Sequence, residues 1–252
     1  MNLITLFRKE YLENIRNYKL IAVLLIFSFF GIISPLSAYY IPDIVAYFAK
    51  NQNITIEIPP PTYKDAVFQY IKNISQMCVF ILILMYMGVV SNEKEKGTAV
   101  FVLVKPVLRT HFIIAKYVSV FTICALALFT AAFFTFLYTH IFFGHFDYKI
   151  FLIQNVLILL YLFTILSVTI MFSSVFKSQI ISGILSFFVW ISFTLISQLG
   201  KSGKLSPDYL IQNASTICHI SDIHIVTIIS SALLIVISIG IALLSFRSWE
   251  AQ

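Results

Sequence analysis

Four consecutive side chains of alternating sign, Glu93-Lys94-Glu95-Lys96, stand between two long apolar stretches of this 252-residue chain. Charges at that density do not belong in a hydrocarbon core. Gly97-Thr98 follows, with the threonine placed to cap a new helix, and then the apolar run Ala99–Val104. Lys105-Pro106 stops that run, because proline supplies no backbone donor. The expected product is a short helix with its charged ends in water and its apolar face against membrane or protein. Arg109 and Lys116 then lead into the next apolar stretch. These residues alone do not separate a docking element from an ordinary long loop.

Other residue types with chemical potential are thinly spread. His140, His145, His219 and His224, with Asp147 and Asp222, fall near apolar-stretch ends and fit a metal site or ordinary loop residues. No Gly-x4-Gly-Lys-Ser/Thr loop occurs; Gly200-Lys-Ser-Gly-Lys has the wrong spacing. No metalloprotease signature or Ser-His-Asp arrangement is visible, so no catalytic residue, metal or cofactor is assigned to this chain. No acidic residue lies in the middle of an apolar stretch, which weighs against an ion-driven secondary carrier. Of the three cysteines, Cys78 and Cys124 lie in apolar runs and read as small hydrophobes.

The elements that must position these residues are set by hydropathy. The chain is 60% hydrophobic and 11% charged, against about 25% charged in ordinary soluble domains. Lipid is the expected solvent for most of it. Six runs approach the roughly 20 residues that a crossing helix needs: about 20–40, 67–91, 113–138, 150–175, 179–199 and 224–246. Tyr39-Tyr40 suits a headgroup region and Pro42 is expected to end the first span. Lys177-Ser178-Gln179 alone divides the fourth from the fifth; an unbroken helix over 150–199 would be about 75 Å long, over twice the hydrocarbon thickness. Residues 1–19 place Leu3, Leu6, Phe7, Glu10, Tyr11 and Asn14 at helical spacing. They read as an amphipathic interfacial helix or a charged topology anchor. The outer segment near Pro207–Cys218 is expected to hold a further short helix.

Lysine and arginine give the orientation. With the N-terminus inside, eleven basic residues face the cytoplasm, among them Arg8, Lys9, Lys94, Lys177 and Arg247, and five face outward. Both termini, including the tail 247–252, are therefore expected in the cytoplasm. The net charge of +6 belongs to these loops. No basic stripe with interleaved aromatics is present, so nucleic acid is not an expected partner.

The order acidic-basic-acidic-basic, Gly-Thr, apolar run, Lys-Pro-Val, Arg, then a lysine opening the next span resembles the loop between the second and third spans of type-2 ABC transporter permeases. The layout resembles them too, with an N-terminal amphipathic helix, six spans in one transmembrane domain (20–246) and an outer segment between the fifth and sixth. That resemblance implies an all-α membrane protein of the cell inner membrane. It implies a cytoplasmic coupling helix seated on a separate ABC ATPase, with Glu93, Glu95, Gly97, Thr98, Lys105, Pro106 and Arg109 as the coupling residues. It further implies two ATPase copies carrying ATP and Mg, a second permease subunit as homo- or heterodimer partner, a surround of membrane lipid, and export as the direction. A non-transporting assembly factor or sensor on the same scaffold is the alternative.

Overall fold

The computed structural model describes residues 3–51, 60–97, 109–144, 146–199, 203–216 and 224–247. Among these residues the regular structure is entirely helical. Hydrocarbon cannot hydrogen-bond a backbone, so each crossing segment must satisfy its own N–H and C=O groups, and a helix does so.

Helix α1 (Leu3–Arg16) is followed by α2 (Lys19–Asn51), the first span. The second span combines α3 (Tyr63–Asn73), a π-helical turn (Ile74–Cys78) and α4 (Val79–Tyr86), and a short helix α5 (Ser91–Glu95) follows it. Helices α6 (Arg109–Phe143), α7 (Tyr148–Val175) and α8 (Gln179–Ser197) are the third to fifth spans. The segment containing α9 (Tyr209–Thr216) precedes the sixth span, α10 (Ile225–Arg247). Among the described residues, six helices are thus long and apolar enough to cross a membrane.

Local chemistry accounts for several ends. The Thr62 backbone N–H donates to the Asp65 carboxylate at 2.8 Å, closing the start of α3 in capping-box fashion. The Asp147 carboxylate accepts the backbone N–H groups of Lys149 at 3.0 Å and Ile150 at 3.3 Å at the start of α7. Between α7 and α8 the chain is extended at Phe176 (φ −92°, ψ 149°) and Ser178 (φ −84°, ψ 128°), which breaks the apolar run where Lys177 stands.

The expectation that Pro42 ends the first helix is corrected by the structure: α2 runs through Pro35 and Pro42 to Asn51. Each proline removes one backbone donor. Packing holds the helix regardless, for Tyr39 lies against Phe142 (ring centroids 5.0 Å apart) and Phe143 of α6.

The central helix is α7, whose buried face includes Tyr161, Leu162, Ile165, Leu166 and Ile170. It packs against α6, α8, α9 and α10, while α1 and α2 pack on α6. Large apolar side chains such as Leu25, Phe129, Phe188 and Val236 point outward, the arrangement expected where lipid replaces water. Interhelical contacts use small and polar residues as membrane bundles do. The Tyr70 hydroxyl donates to Asn155 at 2.7 Å, and the Asn73 amide donates to Ser34 at 2.9 Å.

Candidate functional site

The charged run after the second span is folded back against the bundle. Its backbone turns at Val90-Ser91, where two N–H groups would otherwise point into a buried space. The Ser173 hydroxyl of α7 accepts both, at 2.9 and 3.0 Å. That anchor divides the four charges. Lys94 is buried, donates to the Ser174 carbonyl and lies 5.5 Å from the Phe246 ring centroid. Glu93 turns the other way, and Glu95 and Lys96 are exposed. Gly97 ends α5 at φ +67°, a left-handed position that glycine occupies without Cβ strain.

Glu93 meets Lys116, which rises from the first turns of α6. Their Oε1 and Nζ atoms are 2.7 Å apart, and the same ammonium lies 2.9 Å from Glu10 Oε2 on α1. Side-chain exposures of 1% for Lys116, 4% for Glu10 and 13% for Glu93 put these three charges out of water. Lys9 closes the other side, 3.0 Å from Glu10, 3.3 Å from Glu13 and 3.6 Å from Glu93. One helix turn on from Glu10, the Asn14 amide donates to the Ser119 hydroxyl at 3.2 Å. Three separate elements, α1, α5 and α6, are therefore joined by one cluster of two ammonium groups and three carboxylates.

Electrostatics fix what this cluster can do. Burial pushes the Glu10 carboxyl up, but the ammonium groups of Lys116 and Lys9 outweigh it and hold the group below its ordinary value. Burial likewise lowers the Lys9 ammonium, and Glu10 and Glu93 more than restore it, so it is held above its ordinary value. Glu10, held ionised in this way, is not a general acid. Carboxylate oxygens of Glu10, Glu13 and Glu93 lie within 4.8 Å of one another, close enough for a cation. The ammonium groups already sit there, so a metal would have to displace Lys116 from both of its partners. A mechanical and electrostatic joint is the role this arrangement suits.

Glu10 makes the stability of the joint depend on pH. Its folded-state pKa lies below the ordinary 4.5. Its contribution is then complete above that value and is lost as pH falls through the lower folded value. Thermal stability of the detergent-solubilised protein should drop below pH 4.5, and Glu10→Gln should flatten that acid limb. Unchanged acid sensitivity in the variant would remove Glu10 from the response.

The other sequence-derived positions separate. Arg109 is exposed and donates to the Arg247 carbonyl at 2.9 Å, tying the start of α6 to the end of α10. Thr98, Lys105 and Pro106, with the expected coupling helix, lie outside the described residues. So do His145, His219 and Asp222; His140 is stacked with Phe136, and His224 is 5.4 Å from the Tyr209 ring. Glu10 and Asn14 carry the signal that sequence reasoning left unused: both are polar residues on the apolar stripe of an amphipathic helix.

Two comparisons bear on kinship. A curated relative, the uncharacterized transmembrane protein YxlG of Bacillus subtilis (strain 168), is 26% identical over 116 residues. That stretch covers 46% of this chain and 45% of the relative, so the alignment spans about half of each. The family model described as "ABC-2 family transporter protein" matches residues 4–249, from α1 through the end of the sixth span. With a match over nearly its whole length, on a bundle of six membrane-length helices, the chain belongs to the ABC-2 transporter family.

Proposed function

We propose that the chain is the permease subunit of an ATP-driven exporter, with both termini in the cytoplasm and a separate ABC ATPase docked beneath residues 93–109. A permease of this kind pairs with a second permease subunit and takes two ATPase copies, which hold the ATP and Mg. The single observation that carries this reading is the buried cluster joining Glu93, Lys116 and Glu10. Any force applied to the 98–108 segment meets, at its upstream end, a short helix clamped to both the third span and the N-terminal helix. Glu93 then serves as the internal clamp, while exposed Glu95 is left to face the ATPase. Family membership and the Lys and Arg distribution support the same arrangement.

The two glutamates give distinguishable results. Co-expressed with the ABC ATPase encoded nearest to its gene, the Glu95→Lys protein should retain normal expression and thermal stability. Its recovery of the ATPase on affinity purification should fall about tenfold, because a reversed rim charge weakens association without disturbing the fold. Normal recovery and normal ATPase stimulation would take Glu95 out of the contact. Failure of the wild-type chain to retain the ATPase at all would defeat the transporter reading.

A further inference from the structure

At the end of the bundle opposite the ion cluster, a groove of ≈ 450 Å³ opens between the second span and α8. Its lining is apolar and aromatic: the Phe80 and Phe187 rings meet edge to face with centroids 5.5 Å apart, Trp190 continues that surface 5.2 Å from Phe187, and Asp208 lies in the same lining. The π-helical turn Ile74–Cys78 places exposed Gln76 and Met77 on this groove. An inserted residue of that kind shifts which side chains face outward and is frequent at functional sites.

The partners of Asp208 make the groove selective. It precedes α9 and its backbone carbonyl accepts the N–H groups of Ile211 and Gln212. Its carboxylate reaches away to the neighbouring spans. Ser197 donates to Oδ2 at 2.9 Å, and Tyr161 and Thr194 donate to Oδ1 at 3.3 and 3.5 Å. The Trp190 indole N–H donates to the Tyr161 oxygen at 2.8 Å, so the groove wall and the carboxylate share one chain of hydrogen bonds. All of these donors are neutral. Among the described residues no ammonium or guanidinium forms an ion pair with Asp208. Hydroxyl donors fix the position of a carboxylate without cancelling its charge, and burial already works against that charge, raising the group above its ordinary value.

We propose that this groove binds an amphiphilic organic cation, with its apolar body against Phe80, Phe187 and Trp190 and its positive charge at Asp208. The two halves of the site match two halves of one ligand. A small inorganic cation would satisfy the carboxylate and leave the aromatic walls uncovered, and a neutral lipid tail would cover the walls and leave the charge unmet. Aromatic faces add attraction for a desolvated cation. The inference rests on the transporter reading, and names the class of cargo.

The test uses the full chain in phosphatidylcholine nanodiscs, with the second tryptophan removed by Trp249→Phe so that Trp190 alone reports. Tetraphenylphosphonium and tetraphenylborate have the same shape and opposite charge. Tetraphenylphosphonium should change Trp190 fluorescence saturably, and tetraphenylborate should not compete. Asp208→Asn keeps an acceptor for the hydroxyls and should weaken binding by at least about tenfold. Ile191→Phe, which narrows the groove and adds no second tryptophan, should block it. Equal affinity in the Asn variant, competition by tetraphenylborate, or no saturable response would each overturn the proposal. No ATPase is needed, so its failure leaves the co-purification result standing, and loss of ATPase association leaves the binding result standing.

Discussion

Replacing Lys116 with methionine should destabilise the protein by about 3–5 kcal/mol, the cost of leaving buried charges without their partner. Glu10 and Glu93 would then face each other across an apolar space with only half-exposed Lys9 to hold them. The ordinary response of such a pair is to take up a proton, at the expense of the joint between α1 and α5. The sign reverses when all three charges leave together. Glu10→Gln, Glu93→Gln and Lys116→Met combined should recover most of the lost stability, since buried ion pairs contribute little net energy over a well-packed neutral set. Thermal midpoints from fluorescence-detected size-exclusion chromatography separate the cases. A Lys116→Met protein as stable as wild type would show that the cluster constrains nothing. A stable triple variant that associates with the ATPase but loses transport would show that the charges serve coupling and not folding.

How far the sequence carried this picture depends on the kind of interaction. Six spans were legible because hydropathy over about 20 residues is a sum, insensitive to any one side chain. The break at Lys177 was legible for the same reason, since an unbroken helix would overshoot the bilayer. Helix α2 passing Pro42 was not, because local sequence shows the donor that proline removes and hides the Tyr39 packing on α6 that holds the helix. The fate of the charged run was also hidden. Alternating signs imply a solvated segment, and nothing in Glu93-Lys94-Glu95-Lys96 says that Glu93 and Lys94 turn inward while Glu95 stays in water. That outcome is decided by Lys116, 23 residues further on, and by Glu10, 83 residues earlier. Asp208 was missed because, four residues after Lys204 and between two apolar stretches, it reads as an ordinary loop charge; its three hydroxyl partners come from α7 and α8.

Gly31→Val should be the most disruptive change in the first span, acting through backbone geometry and no charge. A Cβ at Gly31 would lie 2.5 Å from the Ala131 carbonyl oxygen and 2.9 Å from its Cα, so α2 and α6 would have to move apart. Backbone cannot rotate out of the way as a side-chain tip can. Separation would also stretch the bond from the Thr135 hydroxyl to the Gly31 carbonyl, now 3.0 Å, and the Ser28–Thr130 contact at 3.3 Å. Overpacking costs about 1–3 kcal/mol, and each lost interhelical hydrogen bond adds about 0.6 kcal/mol in a membrane. The expected total for valine is about 2–4 kcal/mol, with alanine smaller because it adds the Cβ alone. Gly240 in the sixth span is the control: a Cβ there meets nothing within 4 Å, so Gly240→Ala should be neutral or slightly stabilising. Thermal midpoints in one detergent should rank Gly240→Ala at or above wild type, then Gly31→Ala, then Gly31→Val. The same midpoint for both glycine-to-alanine variants would mean that α2 and α6 do not approach so closely, and the placement of α1 on α6, and with it the Glu10–Lys116 contact, would need to be redrawn.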